Sequence, residues 1–250
     1  MTANRSEPGR GDRVPTGFVC WSHTAMVAIL ACVYAATMAP AAALSPSFQC
    51  LPPPLDALSN LTCTSPSLTR AQVRMVQTYY ALRQYVVIDR HKDLKAEFIA
   101  MMAAARRICG LPLIGVAGDR TRVPPPADAA PCVAAAYEAQ RLIWFSRLTG
   151  AAAEEAARTP EQNISLQDKL RTLGYLPKDA TIDGVFGSAT RNALLVWQRE
   201  NRRPETSFFS DADATILLGV ALVAEVPDPL LVWRSEPLAK AEFHGQTIMI

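Results

Sequence analysis

"IDGVFGSATRNALLVWQ", residues 182–198, runs turn chemistry straight into a helix. Asp183-Gly184 reads as a tight turn, because glycine takes a positive φ without steric cost. Phe186, set between Gly184 and a second glycine, Gly187, is the apolar plug expected to pin that turn to a core. Ser188 is placed to cap the following helix, whose apolar face is Ala193, Leu194 and Trp197. Working outward, Leu166, Leu170 and Leu173 form the stripe of a preceding helix, with Gly174 placed to close it in the left-handed conformation. Downstream, Ser210 caps a short third helix carrying Thr215, Leu217 and Leu218. Residues 163–220 are therefore expected to be three short helices folded around one glycine corner.

Upstream, the same period recurs. Leu68, Ala71, Met75, Tyr79, Leu82 and Val86 repeat at intervals of three and four, and so do Leu94, Phe98, Met101, Ala105 and Ile108. Asp89 to Lys92 is either a short turn between these helices or a polar break within one long helix. Gly110 to Pro131 is rich in glycine and proline without a period, and reads as a loop. A third helix is expected from Cys132 to about Leu148. "AAAEEAARTPEQN" either prolongs that helix or forms a helical linker, and residues 151–162 are taken as the linker. Glu154 and Glu155 within it are expected to be solvated. The fold class expected is all-α: a disulfide-stapled helical hairpin domain, residues 46–150, followed by the small three-helix module.

The termini and cysteines place the chain in the cell. Arg5, Arg10 and Arg13 precede a 15-residue apolar run, Thr24 to Met38, with Ala41 and Ala43 after it. A basic start, a short apolar run and an A-x-A site are the pattern of a secretory leader, so residues 1–43 are expected to be a signal peptide. The alternative is an uncleaved anchor, since extension to Leu44 makes the run long enough to span a bilayer. Four cysteines then remain: Cys50, Cys63, Cys109 and Cys132. An even number in an exported chain reads as two disulfides. Three pairings are open, and joining sequence neighbours, Cys50 to Cys63 and Cys109 to Cys132, is the economical one. Spacings this long do not resemble the close cysteine pairs of zinc sites, so no metal is expected. A formal net charge of +2 with mixed signs lacks the clustered basic face of a nucleic-acid binder. Residues 221–250, with three prolines, suggest an extended C-terminal extension.

Two resemblances follow from these residues. Leu166-Gln167, Leu170, Leu173-Gly174-Tyr175-Leu176, Asp183-Gly184, Phe186-Gly187, Thr190, Ala193-Leu194 and Trp197-Gln198 stand at the spacing of the peptidoglycan-binding domain family, which this segment resembles. That resemblance implies a compact three-helix module of a bacterial wall protein. Its corner would hold loop amides and polar side chains on one face for the oxygens of a wall strand. The candidate ligand-binding residues are Asp183, Gly184, Phe186, Gly187, Thr190, Arg191 and Gln198. Asp183, Gly184, Phe186 and Gly187 are more readily explained singly as turn and plug. Arg191 and Gln198, expected to be exposed, are the better candidates for touching ligand, with a merely solvated helix face the equal alternative. Separately, Phe48, Cys50, Cys63, Leu68, Tyr79 or Tyr80, Arg106, Cys109, Cys132, Tyr137 and Arg141 follow in the order of the LprI-like lysozyme-inhibitor family, which residues 46–149 resemble.

No nucleophile elbow, zinc-protease helix or phosphate loop occurs, so the chain is expected not to be an enzyme and to need no cofactor. The expected function is a non-catalytic envelope protein, periplasmic or secreted. It would bind peptidoglycan and present a helical domain to lysozyme or another envelope protein. The alternative is a wall-targeting accessory subunit of a separate peptidoglycan hydrolase or transpeptidase. Contact with a membrane is expected only if the N-terminal segment stays uncleaved.

Overall fold

Ser65 and Pro66 start the helix around which the rest is built. Proline at the first helical position loses no hydrogen bond, and the Ser65 hydroxyl accepts from the Leu68 amide. The helix runs Pro66–Tyr85 (α2) and is preceded by a short helix, Ala57–Thr64 (α1). In this computed structural model, residues 44–112 and 124–221 are described. The expected signal peptide lies outside the described residues, as does the expected extension from residue 222 onward. The remaining helices are α3 (His91–Ile108), α4 (Ala129–Phe145), α5 (Gly150–Ala157), α6 (Pro160–Thr172), α7 (Ser188–Glu200) and α8 (Asp211–Leu218). Among the described residues there is no strand, so the all-α expectation holds.

Leu68, Met75 and Leu82, each seven residues from the next, are almost fully buried along α2. Such spacing keeps side chains on one stripe, and here the stripe faces α4. Trp144 of α4 is completely buried, lies 5.5 Å from the Tyr79 ring and stacks on Phe98 of α3 at 6.1 Å. Its indole N–H donates to Glu97 at 3.0 Å, so the polar edge of a large buried ring is satisfied. Of the two readings of Asp89–Lys92, the turn between separate helices holds: α2 ends at Tyr85, Ile88–Arg90 forms a single 3-10 turn and α3 begins at His91. The third helix begins at Ala129 and ends at Phe145, three residues earlier at each end than expected.

Both disulfides join sequence neighbours, Cys50 to Cys63 and Cys109 to Cys132. The first ties the chain entering the fold to α1. The second closes the loop between α3 and α4, where the chain-entropy model assigns a loop of this size ~3 kcal/mol. Helix α1 was not foreseen. Asp56 caps it, accepting from the Ser59 amide at 2.9 Å, and holds Arg106 of α3 through two bonds of 2.8 Å. Burial raises the Asp56 carboxyl, but the Arg106 and Ser59 bonds outweigh it and leave the group below its usual value.

The C-terminal helices enclose a second core of Leu166, Leu170, Leu176, Phe186, Leu194, Trp197 and Phe209, as the apolar stripes require. Leu173 is the exception: it ends α6 half exposed, and Gly174 follows at φ +85°. Ser210 caps α8, accepting from the Asp213 amide at 3.0 Å. Ser188, by contrast, is not a cap: it is the first residue of α7, and the cap position belongs to Gly187.

Residues 151–162 correct the picture of a linker. Most of them lie in α5 and the first turn of α6, and α5 packs on both α2 and α8. Glu155, expected to be solvated, has no exposed surface at all. All described residues fall within one compact unit.

Candidate functional site

Asp183 to Gly187 sits where the two cores meet. Val185 packs into the core built around α2, and its neighbour Phe186 packs into the core built around α6 and α7. Adjacent extended residues point to opposite sides, so two consecutive side chains stitch the two cores together. Gly184 makes the approach possible. Its φ is +80°, and a Cβ there would lie 3.0 Å from the Pro160 carbonyl. A side chain is excluded by both conformation and space.

The amides of this corner are consumed internally. Gly184 N–H donates to Gln167 Oε1 at 2.8 Å, Val185 N–H to Asp183 Oδ1 at 2.9 Å, and Phe186 N–H to Gln77 Oε1 of α2 at 2.7 Å. Gly187 N–H donates to the Val185 carbonyl at 3.1 Å. Gln167 also donates through Nε2 to the Val185 carbonyl and to Thr190 Oγ1. The expectation that loop amides await ligand oxygens is thereby corrected: each of these four N–H groups already has an acceptor.

Arg191 and Gln198 are corrected in the same way. Both are buried, Gln198 completely. Arg191 donates through Nη1 to Glu155 Oε2 at 2.8 Å and to the Ser207 carbonyl at 2.7 Å, with a further bond from Nη2 to Glu155 Oε1. Its guanidinium also lies over the Phe208 ring, 4.8 Å from the centroid. Glu155 in turn accepts from Gln77 Nε2 and from the Phe209 amide. One buried network thus joins α2, α5, α7 and the segment before α8. Gln198 accepts from the Ser207 amide and donates to Asp213 and the Phe208 carbonyl, fixing the turn before α8. Phe186 and Thr190 are also buried. The hydrogen bonds and packing of these side chains are spent on the fold.

Asp183 and Gly187 are placed differently. They line an open cleft of about 860 Å³ whose other wall is the helical layer. That size falls within the range of small-ligand sites. Along α2 the lining residues include Gln72, Val76, Tyr80 and Arg83, and along α3 Lys95 and Ile99. Intervals of three and four put each set on one helix face. Tyr80 and Ile99 are exposed there, as is Phe48 before the first cysteine. Burial raises the Asp183 carboxyl above its usual value, against the lowering effect of the bonds from Val185 and Gln167. Among the described residues no group of three or more His, Cys, Asp or Glu side chains could hold a metal, and no helix is long and apolar enough to cross a membrane.

Sequence reasoning missed Gln77, Glu155, Arg83 and Lys95. For Glu155 a signal existed. It stands between Ala152 and Ala156 on the side of α5 that those two bury, and small neighbours let a second helix approach closely. The basic residues of the cleft carry no signal in the sequence, because the wall opposite them comes from a segment about a hundred residues away.

Residues 160–207 match a family model described as a putative peptidoglycan binding domain. The match begins at the first residue of α6 and includes the whole corner and α7. No curated protein and no solved structure is significantly similar to the chain. Nothing in these comparisons bears out the resemblance of residues 46–149 to the LprI-like family. The family match supports a wall-binding role, and with the two disulfides it fits an extracytoplasmic location.

Proposed function

We propose that the chain is a non-catalytic peptidoglycan-binding protein of the cell envelope, periplasmic or secreted, whose helical layer and C-terminal module bind the wall as one unit. The observation that carries this reading is the position of the corner. The family match spans it, and three of its residues, Asp183, Val185 and Gly187, line about 860 Å³ of space. The lining also supports binding rather than cleavage. Glycoside hydrolysis uses two carboxyl groups flanking the scissile bond, and among the described residues lining the cleft Asp183 is the only carboxylate.

The test is co-sedimentation of the full chain with insoluble peptidoglycan, together with zymography on the same material. Binding with no cleared band is expected. A cleared band would make the protein an enzyme, and recovery in the supernatant alone would remove the wall-binding role.

A second reading gives residues 46–150 a lysozyme-inhibiting role. It is favoured by the disulfides, which pair as expected, Cys50 with Cys63 and Cys109 with Cys132. Its test is lysozyme turbidimetry on whole cells with the full chain added: slowed clearing supports inhibition, and unchanged clearing removes it.

A further inference from the structure

Sugar-binding sites read hydroxyl groups with neutral or acidic donors and acceptors set beside aromatic faces. The side-chain amide and the serine and threonine hydroxyls around this cleft are already occupied. Gln72 and Ser47 bond each other twice, Gln72 Nε2 donating to Ser47 Oγ at 2.6 Å and the Ser47 amide donating to Gln72 Oε1 at 3.1 Å. Ser59 Oγ donates to Asp56, and Thr62 Oγ1 donates to the Leu58 carbonyl within its own helix. What the cleft keeps in reserve, beside the tyrosines that line it, is charge. The Arg83 guanidinium and the Lys95 ammonium both line it, and neither has a hydrogen-bond or ion-pair partner among the described residues. Arg83 is only half exposed. A partly buried cation gains more from a counter-ion than a fully solvated one, because the screening around it is weaker.

We propose that this cleft takes the peptide stem of peptidoglycan, with Arg83 and Lys95 receiving its free carboxylates, Tyr80 and Ile99 packing on its aliphatic side chains, and Asp183 available to an amino group. The inference rests on the wall-binding role proposed above and specifies which part of the wall is recognised. Dimensions agree. From Gln72 to Arg83 the lining face of α2 runs for eleven residues, which at ~1.5 Å per residue is about 16 Å. An extended peptide covers that distance with about five residues. Guanidinium binds carboxylate in a fixed fork, so Arg83 sets the position of one carboxylate. The flexible ammonium of Lys95 adjusts to another.

Isothermal titration of the full chain decides the matter, with three probes: the free stem peptide, the same peptide with its carboxylates amidated, and the glycan disaccharide without peptide. Binding of the free stem is expected, with at least a tenfold loss on amidation, the same loss in the Arg83→Gln/Lys95→Gln double variant, and no binding of the disaccharide. Both substituted residues are outside the cores, so an unchanged thermal midpoint certifies the variant as folded. Equal affinity for the free and amidated stems, or an unaltered double variant, overturns the proposal. So does preferential binding of the disaccharide. Co-sedimentation with intact wall separates the two levels. If wall is bound but stem peptide is not, this inference falls and the wall-binding role stands; if neither is bound, both fall.

Discussion

Arg191 shows how far a residue's environment can depart from its pattern. In a helix rich in polar residues it reads as solvated, yet it is a buried cation held by Glu155, the Ser207 carbonyl and the Phe208 ring. Desolvating two charges is expensive, and removing one partner leaves the other uncompensated at a cost of ~3–5 kcal/mol. Glu155→Ala and Arg191→Ala are each expected to lower unfolding free energy by about that amount, measured by urea denaturation. The double variant should lose much less than the sum of the two. A loss under ~0.5 kcal/mol in either single variant, the usual result for a surface site, would mean that the pair is solvated. Asp183 poses the opposite case. Its carboxyl is raised by burial, so the folded state holds the proton more tightly than the unfolded chain does. The stabilisation from that proton is complete below the ordinary value of 3.8 and is lost as pH rises through the higher value of the folded state. Asp183→Asn keeps an acceptor for the Val185 amide and cannot ionise. Stability curves of the two proteins should therefore diverge as pH rises above that ordinary value, the variant being the more stable. Curves that stay parallel would show that the carboxylate ionises in the fold without penalty.

Element boundaries record which local signals were strong enough to survive without knowledge of the fold. Helix α6 starts at Pro160 because Thr159 and Gln162 form a reciprocal capping box, the Gln162 amide donating to Thr159 Oγ1 and the Thr159 amide to Gln162 Oε1. Thr-Pro-Glu-Gln is a helix start that can be read directly from the sequence, but reading it as part of a linker concealed it. Thr159→Ala is expected to cost ~1 kcal/mol, visible as a lower midpoint in thermal melts followed by circular dichroism. An unchanged midpoint would show that α6 is held by packing alone. Legibility followed physical range. The stripes of α2, α6 and α7, the left-handed Gly174 and Gly184, the Ser210 cap and the plug Phe186 all depend on near neighbours in sequence, and each was readable. The bonds from Gln77 to Phe186 and from Glu155 to Arg191 cross 109 and 36 residues of chain. Periodicity carries no information at that separation, so exposure was assigned wrongly where these contacts decide it. At the candidate site the turn at Asp183-Gly184 was readable in the sequence, whereas the α2 and α3 side chains that line the cleft beside it were not.

At the scale of the molecule, the chain trades modularity for one continuous structure. A peptidoglycan-binding module is expected to be a detachable unit, and the family match at residues 160–207 has the length of one. Here its main polar anchors lie outside that match. Glu155 and Arg158 precede it, with Arg158 donating to the Phe209 carbonyl at 2.8 Å and pairing with Asp211 at 2.6 Å. Gln77 caps the Phe186 amide from α2, and Arg70 of α2 pairs with Glu161. Excising residues 161–219 therefore leaves Arg191 facing the former site of Glu155 and the Phe186 amide without its acceptor. It also exposes Val185, which packs into the other core. The lost ion pair alone, at ~3–5 kcal/mol, is comparable with the whole stability of a domain this small. Fragment 161–219 is expected to lack a cooperative thermal transition. Fragment 150–221 regains Glu155 and Arg158 and should show a broad transition, and residues 44–221 should melt as one two-state unit. Calorimetry of the three distinguishes the cases. If fragment 161–219 melts cooperatively, or if the longest fragment shows two separate transitions, then the buried network only decorates an autonomous module, and the cleft walls are free to move apart.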